Sequence, residues 1–211
     1  MITQNSHKKD RILDIAESVF SKLGYEGAST RVISREAGIN LAMLNYYFGS
    51  KEGLFMAVFE RKIYALRSLL QNIGMNTGLS CWEKLDRCVD FYIDRFLVND
   101  DFQRLIHREM SISNRHSLTE KITETLMTNV REFKVIFNEG VRNGSFKADA
   151  DIQLLTTIIV GTKNYIVNTP NICSLLVDHD VTDSRYLEIE LKPRLKTLLK
   201  KTLRDHLSLP A

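Results

Sequence analysis

Asn45, Tyr46, Tyr47 and Lys51 bring an amide, two phenols and an ammonium into one short stretch of chain. Such groups are suited to recognition. A carboxamide donates and accepts a hydrogen bond at once, as the major-groove edge of adenine requires, and a well-made pair discriminates by about 1–3 kcal/mol. A lysine in the first turn of a helix opposes the helix dipole at a cost of roughly 0.3–1 kcal/mol, so Lys51 calls for an anion. A phosphate would serve, with the adjacent Glu52 as a local competitor. Adjacent tyrosines on a short helix are at best half buried, which leaves at least one phenol for an outside partner. Lys8 and Lys9 could add phosphate contacts from a flexible arm, although a basic start is more often solvated.

No comparable set exists for catalysis or metal binding. His7, His107, His116, His179 and His206 are scattered, with no two at the spacing of a helical metal pair. Cys81, Cys88 and Cys173 are odd in number and form no CxxC, which points away from a disulfide framework or zinc site and toward a reducing compartment. There is no GxSxG, no P-loop and no GxGxxG after a strand; Gly140-Val141-Arg142-Asn143-Gly144 reads as a helix end with a turn. The expectation is a protein that is not an enzyme, with no metal and no cofactor.

The elements that must hold the recognition groups can be read from apolar spacing. Ile12, Ala16, Val19 and Leu23 mark a first helix ended by Gly24. Ser29 and Thr30 are capping types ahead of a short helix, Arg31 to Ala37, which a turn at Gly38 stops. Asn40 can cap a third helix from Leu41 to Tyr47, in which Leu44 and Phe48 face inward while Ala42, Asn45 and Tyr46 face out. Ser50 caps a fourth helix running to about Leu70. Two short helices joined by a glycine turn, the second polar on one face, form a helix-turn-helix whose second helix enters a major groove. Leu41, Ala42 and Met43 would then supply apolar contact with thymine methyls beside Asn45.

Further helices follow at Trp82 to Phe96, about Phe102 to Ser111, Ile122 to Phe137, Ile152 to Val167 and Leu187 to Leu207, giving about nine in all. With three prolines and 44% hydrophobic residues in 211, the fold class is all-α, with a substantial core. The expected division is a helix-turn-helix DNA-binding domain at 1–52, linked by the helix at about 51–70, and a helical-bundle domain for ligand binding and dimerisation at 53–211. In the second part, Phe91, Tyr92, Phe96, Phe102, His107, Met110, Met127, Phe133, Phe137 and Tyr165 are candidates to line a ligand cavity, although residue by residue plain core is the commoner role of such side chains. Thr157 and Gly161, four apart on an apolar helix, suggest a seam where a second copy approaches.

A net charge of +3 from 29 basic and 26 acidic residues is compatible with a polyanion without demanding one. The start of the chain lacks a basic segment followed by an apolar run, and no stretch approaches the roughly 20 apolar residues that span a bilayer. A soluble, cytoplasmic protein without a membrane partner is expected.

The run Ser29-Thr30-Arg31-Val32-Ile33-Ser34-Arg35-Glu36-Ala37-Gly38-Ile39-Asn40, continued by Leu41-Ala42-Met43-Leu44-Asn45-Tyr46-Tyr47-Phe48-Gly49-Ser50-Lys51-Glu52-Gly53-Leu54-Phe55, resembles the tetracycline-repressor (TetR) family. The resemblance covers about the first 60 residues, judged by the same helix-turn-helix spacing. It implies a homodimer on a roughly palindromic double-stranded DNA operator, and a helical bundle whose small-molecule effector alters the spacing of the two recognition helices. By position it implies that Thr30, Arg31, Tyr47 and Lys51 contact phosphates or nearby bases, and that Leu41, Ala42, Asn45 and Tyr46 face the groove. It also places dimerisation on the last two long helices, including Leu191, Leu195 and Leu198 beside Thr157 and Gly161. The chain departs from the family pattern at Asn45, where tyrosine is frequent, and at Leu41, where a polar or basic residue is frequent. The leading expectation is a repressor released by an effector. The alternatives are a helical carrier or enzyme that retains the N-terminal fold, and a ligand-independent regulator acting through a protein partner.

Overall fold

The computed structural model describes residues 2–98, 100–112 and 116–209. Among these, every regular element is helical: α1 (Ile2–Gly27), α2 (Thr30–Ala37), α3 (Leu41–Phe48), α4 (Lys51–Met75), α5 (Cys81–Phe96), α6 (Asp101–Ser111), α7 (His116–Arg142), α8 (Ile152–Asn168), α9 (Pro170–Val177), α10 (Ser184–Tyr186) and α11 (Lys192–Leu207). The all-α expectation holds, and the count exceeds the nine expected. α9 starts at Pro170, in the first turn, where a missing N–H is no loss. A π-helical turn, Leu187–Leu191, joins α10 to α11. Pro193 lies just beyond it, and a proline ring displaces the carbonyl four residues back, so the wider turn absorbs the misfit.

The chain packs as two compact units, 1–65 with 100–126, and 66–99 with 127–211. The first is larger than the 1–52 read from the sequence, because it takes in the first half of α4, all of α6 and the start of α7. Its core centres on Phe55, whose ring meets Phe20 at 5.0 Å, Tyr25 at 5.1 Å and Phe102 at 5.4 Å. Aromatic contacts of this kind add about 0.5–1.5 kcal/mol each beyond their area. Gly24, at φ 72°, breaks α1 where the sequence places its end. Lys62 links Glu17 of α1 with Asp100, the N-cap of α6, at 2.6 Å each. Burial pushes the Asp100 carboxyl up, but Lys62 and the Phe102 and Gln103 amides outweigh that and hold it below the usual aspartate value.

In the second unit α5 and α11 run antiparallel, since Asp86, Asp90 and Asp94 pair in reverse order with Arg204, Lys200 and Lys196 at 2.5, 2.6 and 2.6 Å. Exposed pairs of this kind contribute about 0–1 kcal/mol each. Lys84 is buried, with its ammonium 2.7 Å from a Glu139 carboxylate oxygen and 3.1 Å from the Gly74 carbonyl. Removing either partner of such a pair leaves an uncompensated buried charge.

Candidate nucleic-acid interface

The helix-turn-helix is fixed by its caps. The Ser29 hydroxyl accepts from the Val32 amide at 3.2 Å to start α2. Gly38 ends it in the left-handed region (φ 65°, ψ 34°), which glycine enters without steric cost. The Asn40 side-chain oxygen then accepts from the Met43 amide at 2.7 Å and starts α3. Ser50 does the same for α4, accepting from the Gly53 amide at 3.0 Å. Gly53 is a point of close approach, since a Cβ there would lie 2.1 Å from the Phe48 carbonyl oxygen. No side chain fits that gap, so glycine is what allows α4 to start directly against the end of α3.

This frame sorts the side chains of α3 by face. Leu44 and Phe48 are buried and anchor it. Ala42 and Asn45 are exposed, Leu41 and Tyr47 are half buried, and Tyr46 is 82% exposed with its ring 5.5 Å from that of Tyr47. At the start of α2, Arg31 is exposed and Thr30 half buried. The surface left by packing is an amide, two phenols and small apolar groups, a set able to touch base edges. Lys8 and Lys9 belong to α1, not to a flexible arm, and the Lys9 ammonium lies 5.7 Å from the Phe48 ring centre.

Lys51 is half buried, and its ammonium lies 3.3 Å from the Glu26 carbonyl oxygen and 4.5 Å from the centre of the Tyr25 ring. These contacts offset the dipole penalty within the chain, a local solution that the sequence reading did not include. Glu52 is engaged elsewhere. It accepts from Lys121 and, at 3.2 Å, from the Ser117 hydroxyl, and the Lys121 hydrogen bond holds its carboxyl below the ordinary glutamate value.

The second unit contains a partly open cavity of about 90 Å³. Leu66 and Leu70 of α4, Cys88 and Val89 of α5, Val130 and Phe133 of α7, and Ile159 and Val160 of α8 form its apolar wall, with Tyr92, Asn129 and Thr156 as the polar groups. Elsewhere on this unit, Leu154, Thr157, Ile158, Gly161 and Tyr165 form an exposed stripe along α8. On α11, Leu198 is 59% exposed beside a shallow groove with Arg194, Thr197 and Lys201.

The family model for bacterial regulatory proteins of the tetR family matches residues 12–58, and that for the tetracyclin repressor-like C-terminal domain matches residues 82–191. The chain belongs to the tetR family. The HTH-type transcriptional repressor NicS of Pseudomonas putida is 48% identical over 148 residues, covering 69% of each chain. The fatty acid degradation regulator FadR from Bacillus halodurans superposes with a TM-score of 0.69 at 25% identity, over 92% of this chain and 99% of that one. FadR from Bacillus subtilis, solved in complex with stearoyl-CoA, gives 0.66 at 23% identity over 90% and 96%, a likeness of fold. As a tetR-family member the chain is a DNA-binding transcriptional regulator. No helix among the described residues is long and apolar enough to cross a membrane.

Within this tetR-family chain, the helix-turn-helix candidates are exposed or half buried on α2, α3 and the start of α4, whereas the ten cavity candidates scatter. Only Tyr92 and Phe133 line the cavity. Phe102 lies in the first unit, in contact with Phe55, and His107 and Met110 are exposed in that same unit. Met127 and Tyr165 are exposed, Phe91 and Phe96 pack on the core, and Phe137 stacks on Phe146 with ring centres 5.8 Å apart. Of the dimer candidates, Thr157, Gly161 and Leu198 are exposed. Leu191 and Leu195 reach the floor of the α11 groove but are 7% and 6% exposed, with their side chains in the core of their own unit. They are corrected to core residues, since a helix that packs inward at every fourth position has only its other face left for a partner.

The cavity residues that the sequence reading missed are mostly aliphatic. No signal in residue type marks the aliphatic ones, because a cavity forms where side chains fall short of filling the space between helices.

Proposed function

We propose that this chain is a cytoplasmic, dimeric repressor that holds a roughly palindromic operator with one α3 from each copy and leaves it when a small-molecule effector binds. The observation that carries the reading is the capped α3 helix, which buries Leu44 and Phe48 and leaves Asn45 and Tyr46 outward. Asn45, Tyr46, Ala42 and Leu41 face the bases in this reading, and Thr30, Arg31, Tyr47 and Lys51 hold phosphates. The DNA-binding function lies in 1–52, with effector binding and pairing in 53–211. Pairing uses the exposed stripe of α8, including Thr157 and Gly161, and Leu198 of α11.

Release requires that the effector bind the DNA-incompetent form better, and a coupling of about 1–3 kcal/mol suffices for a 5- to 150-fold change in operator affinity. The cavity supports an effector-responsive protein over one acting through a protein partner alone, since a closed core would offer no place for a ligand. A repressor's name on the NicS relative and the ligand in the FadR complex point the same way.

The test is fluorescence anisotropy at moderate salt with duplex DNA from upstream of the protein's own gene, against a scrambled duplex of equal length. Preference for the upstream DNA by at least ~10³, the lower bound for specific over non-specific binding, is expected. Equal affinity for the two would overturn the reading.

A further inference from the structure

The cavity between α4, α5, α7 and α8 has one feature that its apolar wall does not explain. Asn129 is 6% exposed, lines the cavity, and its side-chain oxygen has no hydrogen-bond partner. An unpaired buried acceptor costs about 1–3 kcal/mol, so an asparagine placed among Leu70, Val130 and Ile159 is destabilising unless a donor comes to it. The other polar groups on the wall do not supply that donor. The Thr156 hydroxyl donates to the Ile152 carbonyl at 2.7 Å. The Cys88 thiol and the Tyr92 phenol, which burial keeps neutral by raising the thiol to about 12 and the phenol as well, do not pair with the Asn129 oxygen.

No residue lining the cavity carries a charge at neutral pH. Arg67 and Lys163 lie on two of the same helices but outside the wall. The Lys163 ammonium stands 6.0 Å from the centre of the Tyr92 ring, but with no cation on the wall itself a carboxylate or phosphate entering this space would be desolvated without direct pairing, a penalty of several kcal/mol. The volume, about 90 Å³, is of the order needed for one small ring.

We infer that the cavity takes a small, neutral, largely apolar molecule carrying one hydrogen-bond donor, an aromatic alcohol or equivalent, with that donor on the Asn129 oxygen. This deepens the effector reading and rests on it. The ligand's apolar body replaces the void, and its O–H supplies the missing partner. Discrimination comes from leaving a buried group unpaired when the donor is absent.

The experiment uses the full chain and three probes of one size class, phenol, anisole and benzoate, titrated by ligand-observed NMR at pH 7. Phenol is expected to bind about 3- to 10-fold more tightly than anisole, the range a single net hydrogen bond gives, and benzoate not at all. Asn129→Leu should bind phenol and anisole equally. Val130→Trp, which fills the cavity, should bind neither. Binding of benzoate as tightly as phenol, equal binding of phenol and anisole by the parent, or no binding of either neutral probe would overturn the inference. The comparison in the parent protein decides the matter even where a variant fails to fold. Operator affinity measured on the same preparation separates the two readings: DNA binding without phenol binding overturns only the ligand class, whereas loss of operator preference in the parent overturns the regulator reading itself.

Discussion

Lys51→Met isolates the contribution of one ammonium to DNA binding. In the free chain this group rests on the Glu26 carbonyl oxygen and the Tyr25 ring, at 3.3 and 4.5 Å. Methionine keeps the apolar stem and removes the charge. Losing the ring contact costs about 0.5–1 kcal/mol and the hydrogen bond to the Glu26 carbonyl about 0.5–1.5 kcal/mol, while removing a cation from the first turn of α4 returns roughly 0.3–1 kcal/mol, so folding stability should fall by no more than about 2 kcal/mol. DNA binding should change in a defined way. Each phosphate neutralised contributes about 0.9 to the slope of log affinity against log salt, so a dimer that loses one contact per copy should lose about 1.8 from that slope. Over a fourfold rise in salt, from about 50 to 200 mM, the advantage of the parent over the variant should therefore shrink by about 12-fold. Anisotropy titrations at several salt concentrations measure this directly, with thermal melts as the control for stability. A slope unchanged within about 0.5, for a folded and paired variant, would refute the phosphate contact and leave Lys51 as a clamp on the end of α1.

Asn40→Ala removes the cap of α3 and should lower stability by about 1 kcal/mol in urea unfolding, with Asn40→Asp close to the parent; an equal loss in both would rule out capping as its role. Gly53→Ala puts a Cβ 2.1 Å from the Phe48 carbonyl oxygen and should cost about 3 kcal/mol, because a backbone atom cannot step aside; a neutral result would mean that α4 starts differently. Lys62→Met leaves Asp100 buried without its cation, so its carboxyl should titrate at higher pH. In the parent the Asp100 value is held below 3.8, and the stability it contributes is present above that pH and lost as pH falls through the lowered value. The variant should thus be less stable than the parent at pH 7, with the gap shrinking as pH falls through 3.8 and below, in urea unfolding at several pH values; a gap that does not shrink on acidification would contradict the assignment.

The helix-turn-helix was legible in the sequence because local chemistry decides it. Ser29, Gly38, Asn40 and Ser50 act within one turn of their own positions, and Leu44 and Phe48 point inward by helical spacing alone. What the sequence concealed depends on distant segments. The partner of Glu52 is Lys121, and Lys51 answers to Tyr25 and Glu26; neither pairing can be read from spacing along one helix. The cavity failed to show for the opposite reason. Large aromatic residues attract attention as ligand contacts, yet Phe137 packs in the core against Phe146, with ring centres 5.8 Å apart. Asn129 was the visible clue, a polar residue in the apolar register of α7 between Leu126 and Val130. Leu191 and Leu195 misled because an unbroken leucine stripe serves a bundle core and a dimer seam alike; the exposed leucine of α11 is Leu198.

The most direct test of the account is the sequence preference of Asn45→Ala. Binding of parent and variant should be compared by anisotropy on the upstream duplex and on duplexes with single base-pair changes, with folding and pairing verified by circular dichroism and sedimentation. The account predicts that the variant loses at least ~5-fold in discrimination at one position of each half-site, the lower end for a paired amide, while the salt dependence stays that of the parent. A folded, paired variant that keeps both the affinity and the preference of the parent would contradict it.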